Sequence, residues 1–268
     1  MSDPDFLQRY GPWAVIAGAS HGVGAAFANL LAARGLNCVL VARRAEPLAQ
    51  LKVQLEREYA VEVLAITQDL AQGDACERLV AAVGARQVGL FVYNAGGDPY
   101  ITRFIATSAD DWARLLCLNS LTVMRCSHAF GGAMLERKRG GLLLVGSQAA
   151  LGGVRKLAMY SATKGFALNL GESLWAEWKD QGVDVLNLLI GTVDTPTMRE
   201  AMLKLNIPEA LSMVLPQAEE VALWALQSLG KGPTLIHPQD TLADPPGQVR
   251  REHVLSTSAQ AAVFIGND

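Results

Sequence analysis

The sequence predicts an α/β fold built on a doubly wound parallel sheet in a single domain, and three observations carry that expectation. Short apolar runs alternate with longer segments of helical periodicity. The apolar runs are hydrophobic at nearly every position, as strands covered by helices on both faces must be. No internal repeat, low-complexity stretch or domain-sized linker interrupts the succession, so right-handed β-α-β crossovers assemble one sheet.

Taken in order, Trp13–Ala17 is a strand of five apolar residues, and 23–34 is a helix closed by Gly35. Asn37–Ala42 is the next strand. The helix over 47–59 is amphipathic, with Leu48, Leu51 and Leu55 on one face. A strand over 61–67, a helix over 74–83 and a strand over 90–93 follow. A long helix starts near Ser108, with Asp111 three residues on in the manner of a capping box, and runs to about 137. Then come a strand over 142–146, a helix over 159–181, a strand over 183–189, a helix over 218–229 and a strand at Thr234–His237.

Two segments stand apart. The stretch 195–216 is expected to form a lid, rich in adaptable apolar side chains: Met198, Met202, Leu203, Leu205, Ile207, Leu211, Met213, Val214 and Leu215. The tail 240–268, with Pro245, Pro246 and Gly247, is weakly patterned.

Composition narrows the function classes. Of 268 residues, 50% are hydrophobic and 18% charged, as in a packed globular chain rather than a disordered one. A net charge of −3 gives no bulk attraction for nucleic acid or an anionic membrane. The four cysteines form no C-x-x-C pair and the four histidines no metal-ligand spacing, so no metal is expected. The charge-free stretch 11–33 is long enough to span a bilayer, but Gly18, Ser20, His21, Gly22, Gly24 and Asn29 mark it as strand, turn and buried helix. With no signal-peptide pattern, a cytoplasmic protein is expected.

The chemistry begins at Gly18-Ala-Ser20-His21-Gly22-Val23-Gly24, between the first strand and the first helix. Gly18 permits a tight turn, Gly22 lets the backbone approach a pyrophosphate, and Gly24 allows close helix–strand packing. The helix N-terminus offers free N–H groups to an anion. The second strand runs into Arg43 and Arg44, with no acid between 37 and 45. A carboxylate there would bond the ribose 2′-hydroxyl of NAD, whereas guanidinium groups suit a 2′-phosphate. The cofactor expected is therefore NADP(H), with Ser20 and His21 lining the same pocket.

Tyr160 and Lys164, four apart, share a helix face. A nearby ammonium lowers a phenol's pKa, and a phenol so tuned exchanges a proton with a carbonyl or alcohol oxygen. The spacing alone also occurs on helix surfaces. Ser147 closes the preceding strand, where such sheets bind ligands, and its hydroxyl can bond a substrate oxygen. Asn119 shares an apolar helix face with Leu115 and Val123, and a buried amide there needs a partner, structural or functional.

These motifs, in this order and spacing over about 12–237, resemble the short-chain dehydrogenase/reductase family, whose fold is of the Rossmann type. The resemblance implies that Tyr160 is the acid/base, that Lys164 binds the nicotinamide ribose, that Ser147 positions the substrate oxygen, and that Asn119 completes a proton relay through a water. It implies that Asn94, Ala95 and Gly96 line the cofactor and that Asp69 and Leu70 meet the adenine. Gly191, Thr192, Val193 and Thr195 would meet the nicotinamide carboxamide and phosphates. Three positions depart from the family pattern: Ala17 for Thr, Tyr93 for Asn and Ile190 for Pro. Homodimers or homotetramers through the two long helices are implied as well.

The expected substrate is a hydrophobic carbonyl or secondary alcohol, steroid-like, 3-oxoacyl or aryl. Tyr100, Ile101, Phe104, Leu151, Val154 and Leu157 add to the apolar pocket, though such residues also pack on one another. Two rivals stand beside this: a module that senses NADP(H) without turnover, and a sugar-nucleotide epimerase or dehydratase, which would carry a larger C-terminal substrate domain.

Overall fold

The computed structural model describes residues 4–204, 215–237 and 248–256. Seven parallel strands form one sheet in the order β3-β2-β1-β4-β5-β6-β7: β1 (Trp13–Ala17), β2 (Asn37–Ala42), β3 (Val63–Thr67), β4 (Val88–Tyr93), β5 (Gly140–Ser147), β6 (Val183–Ile190) and β7 (Thr234–His237). Val15 lies between Val39 and Phe91 in register. The chain leaves β1 toward β2 on one side and returns to β4 on the other. A crevice therefore opens at the carboxyl ends of β1 and β4, the switch point of a doubly wound sheet.

The helices are α1 (Pro4–Tyr10), α2 (Gly22–Ala33), α3 (Ala45–Tyr59), α4 (Ala75–Val83), α5 (Ala109–Leu116), α6 (Thr122–Glu136), α7 (Ala158–Trp178), α8 (Pro196–Lys204), α9 (Ala218–Gln227) and α10 (248–256). Period-2 alternation sends successive strand residues to opposite faces. Ala14, Ile16, Cys38 and Leu40 pack with Phe27 and Leu31 of α2, Leu55 of α3 and Val221 of α9. Val15, Val39 and Phe91 pack with Leu79 of α4, Phe130 and Met134 of α6, and Trp175 and Trp178 of α7. Both faces are thus dry. Each fully buried Leu or Phe contributes about 1.5–3 kcal/mol.

The structure adds to the pattern-based expectation at three places. Helix α1 was not foreseen; it is fixed by Arg9, which donates to both oxygens of Asp184 at 2.6 and 2.8 Å, and by the Tyr10 hydroxyl, which donates to the same carboxylate at 2.6 Å. The long helix expected over 108–137 is two α-helices joined by a π turn at Cys117–Leu121. Its start is as expected: the Ser108 hydroxyl accepts from Asp111 N at 3.1 Å. Within the tail, α10 is clamped to α7. Arg250 donates to Glu172 Oε1 and Oε2 at 2.6 and 2.8 Å, Thr234 Oγ1 donates to Oε1 at 2.8 Å, and Arg251 lies over the Trp175 ring. Of the expected lid, 205–214 lie outside the described residues, as do 238–247 and 257–268 of the tail.

Candidate active site

The turn from β1 to α2 is stitched to β2, because Gly18 N and Ala19 N both donate to Val41 O, at 2.8 and 3.1 Å. Gly24 is required by packing: a Cβ there would lie 2.0 Å from Gly18 O. Asn94 at the end of β4 donates through Nδ2 to Gly18 O at 2.9 Å, which ties the turn to the neighbouring strand. No side chain caps the N-terminus of α2, so its first N–H groups stay available for an anion.

A cleft of about 780 Å³ opens over this turn. Its wall includes Gly18, Ser20 and His21 from the turn, Arg43 and Arg44 beyond β2, Asp69 and Leu70 beyond β3, and Asn94, Ala95 and Gly96 beyond β4. Tyr160, Lys164 and Thr195 complete the predicted set on that wall. Burial opposes ionisation of Asp69, but the Ala71 N–H, Gln72 and Arg114 outweigh it and hold the carboxyl below its usual range.

Helix α7 starts two residues before Tyr160, so the phenol and, one turn on, Lys164 face the end of β5. Ser147 terminates β5, and its Oγ accepts from Ala149 N at 3.2 Å. Lys164 is only 5% exposed, and its Nζ donates to Val145 O at 3.0 Å. Asn119 sits in the π turn, 1% exposed, behind the cleft wall. Its Nδ2 donates to Gly97 O and Thr163 Oγ1, both at 3.2 Å, and its Oδ1 accepts from Gly97 N at 3.4 Å. The amide thus pins the loop after β4 to α7. Gly96 marks the meeting point: a Cβ there would stand 2.8 Å from Asn119 Oδ1 and 2.9 Å from Lys164 Nζ.

The expected lowering of the phenol pKa by Lys164 is not what this geometry gives. Burial is the first cause and raises Tyr160 above its ordinary value; the Ser147 hydroxyl lowers it, and the negative charge of Asp98 raises it again. Lys164 lies 5.9 Å from the ring centroid and points its ammonium to a carbonyl, and burial brings its own pKa down to about 8.

Other predicted residues stand away from the cleft wall. Val23 and Val193 turn into the core, 5% and 4% exposed. Thr192 is exposed to solvent, and Gly191 N donates to His237 O at 3.1 Å, so this part of the loop after β6 is held to β7. Gly22 and Gly24 shape the turn from behind.

Sequence reasoning missed Asp98, Thr197 and Glu200 on the wall and Thr163 behind it. Asp98 Oδ1 accepts from Tyr100 N at 2.8 Å and Ile101 N at 3.3 Å, while Oδ2 has no hydrogen-bond partner. An acid just past a strand end at the switch point was the available signal.

The family model for short chain dehydrogenase matches residues 12–206. The chain is 30% identical to a 7beta-hydroxysteroid dehydrogenase of Clostridium sardiniense, over 85% of each chain. It is 29% identical to the inactive hydroxysteroid dehydrogenase-like protein 1 of Homo sapiens, over 85% of this chain and 69% of that one. The solved short-chain dehydrogenase of Sphingobium yanoikuyae in complex with NADPH is 26% identical, with a TM-score of 0.78 over 94% of this chain and 95% of that one.

Proposed function

The chain belongs to the short-chain dehydrogenase family, and from that premise we propose that it is an NADP(H)-dependent oxidoreductase acting on a hydrophobic ketone or secondary alcohol. The observation that carries this reading is one cleft with Arg43 and Arg44 at one end and Tyr160 and Lys164 at the other. The cleft fits a dinucleotide: the packing at Gly24 lets the turn come close to β4, and the uncapped start of α2 suits a pyrophosphate. The two arginines suit a 2′-phosphate, Asp69 and Leu70 would flank the adenine, and Asn94, Ala95 and Gly96 would line the path between. Support for the phosphate also comes from the NADPH complex of a relative.

Bound there, the nicotinamide supplies or accepts the hydride. The protein's own part is proton transfer and orientation. Tyr160 Oη gives its proton to the carbonyl oxygen in reduction and takes it from the hydroxyl in oxidation. Ser147, at the end of β5, bonds the same substrate oxygen as charge develops on it. Lys164 holds the ribose side of the cleft, and Asn119 keeps the loop after β4 and α7 in fixed register, so that a water beside its backbone can pass protons outward.

Pro99, Tyr100, Ile101 and Ile190 give the cleft its apolar wall. The hydroxysteroid dehydrogenase relative points toward a steroid-like or similarly bulky substrate. A homodimer or homotetramer would form through the long helices, whose outward faces expose Leu116, Met124 and Phe166.

The test is a panel of ketones and alcohols with NADPH and NADH. The expected result is NADPH-dependent reduction that falls by roughly 10²–10⁴ in Tyr160→Phe, with NADPH affinity retained; full activity in that variant removes Tyr160 as acid/base. The inactive relative favours a second reading, a module that binds NADP(H) without turnover. Tight NADPH binding with no turnover on the panel would establish it, against the presence of Ser147, Tyr160 and Lys164 together.

A further inference from the structure

His21 touches more than the cofactor turn. Arg44 Nη2 lies 2.7 Å from His21 Nδ1, and His21 Nε2 lies 2.6 Å from Thr197 Oγ1. A guanidinium only donates, and Arg44 Nη2 lies nearer Nδ1 than Nε2, at 2.7 against 3.4 Å, so Nδ1 is the acceptor, and the Ser20 hydroxyl at 2.9 Å shares it. The proton of the neutral ring is then on Nε2, from which it is donated to Thr197. Burial, followed by the charges of Arg44 and Arg43, holds the ring neutral. The result is a directed chain of hydrogen bonds: Arg44 to His21 to Thr197.

Thr197 is the second residue of α8, the described part of the expected lid. The start of that helix is closely fixed. Thr195 Oγ1 accepts from Met198 N at 3.2 Å, Arg199 donates to both oxygens of Asp194 at 2.6 Å, and the Thr195 methyl packs where a Gly22 Cβ would come within 2.9 Å. Thr197 and, one turn below it, Glu200 lie on the wall of the same cleft as Tyr160.

We propose that His21 and Thr197 are positioning residues that relay recognition of the cofactor's 2′-phosphate to α8, so that NADP(H) seats the substrate-side wall more firmly than NAD(H) does. The inference rests on the proposed 2′-phosphate site at Arg43 and Arg44. A phosphate there orients and neutralises the Arg44 guanidinium, which fixes the His21 tautomer and with it the donor aimed at Thr197. A cofactor without the phosphate leaves that guanidinium free to turn to solvent, and Thr197 loses its oriented partner.

The experiment uses the full-length protein saturated with NADPH or with NADH and follows tryptic cleavage after Arg199 and Lys204, alongside cofactor affinity by fluorescence titration. In the native protein, NADPH slows cleavage about three- to tenfold more than NADH, the range one hydrogen bond supplies. Thr197→Val brings the two cofactors level in protection and weakens NADPH binding by no more than that same factor of about three to ten, and Thr197→Ser, which keeps the hydroxyl, restores the difference. NADPH bound no tighter than NADH removes the phosphate site and the relay with it. NADPH bound more tightly with equal protection by both cofactors, or a difference that survives Thr197→Val, overturns the relay alone.

Discussion

Lys164 spends a hydrogen bond from its ammonium on the carbonyl oxygen of Val145, 3.0 Å away, inside the protein. Strand β5 and helix α7 are thereby joined just beneath the cleft. Burial lowers this lysine from 10.5 to about 8, so the fold binds its proton less tightly than the unfolded chain does. The penalty is therefore fully present below about pH 8 and fades as pH rises toward 10.5. Thermal unfolding of the native protein and of Lys164→Met between pH 7 and 10 checks this: the native protein gains stability relative to the variant as pH rises. A difference that stays flat contradicts it. Turnover of the variant falls at all pH values.

Asp98 opposes ionisation of Tyr160, and its Oδ2 has no hydrogen-bond partner to neutralise it. Removing its charge makes the phenol more acidic. In ketone reduction, which needs the protonated phenol, the alkaline limb of kcat/KM moves to lower pH in Asp98→Asn. Asp98→Glu keeps the charge and leaves the limb nearer its native place. A change in KM with an unmoved limb would mean that Asp98 only shapes its loop.

The clamp on α7 makes a stability prediction. Glu172 is 5% exposed and takes three hydrogen bonds, two from Arg250 and one from Thr234. Arg250→Met leaves a buried carboxylate without its counter-charge and costs about 3 kcal/mol. Chemical denaturation measures this, and Glu172→Gln combined with Arg250→Met recovers part of the loss. A cost below about 1 kcal/mol would class the pair with surface ion pairs.

How much of this was legible in the sequence differs from residue to residue, for physical reasons. Strands such as Trp13–Ala17 announce themselves because burial on both faces demands apolar residues throughout. The glycine turn is legible because its backbone needs exclude other residues, and Tyr160 with Lys164 because helical spacing fixes their common face. The charge state of Lys164 is not legible: spacing names a neighbour, whereas desolvation depends on everything packed around it. Asp98 and Thr197 escaped because their roles come from where loops carry them, and α10 because its docking depends on Arg250 meeting an acid 78 positions away. The π turn escaped too, since Cys-Leu-Asn-Ser-Leu is unremarked composition for any helix.

That turn has an evolutionary corollary. Each residue of a regular helix rotates the chain by about 100°, and the surplus residue between 117 and 121 lets the two halves be phased separately. Trp112 and Leu115 meet the interior before it, and Val123, Cys126 and Phe130 after it. Loss of a single codon within the joint would leave α6 in place and swing Trp112 toward water. The length of the segment is therefore under a constraint separate from the one that Asn119 places on its side chains.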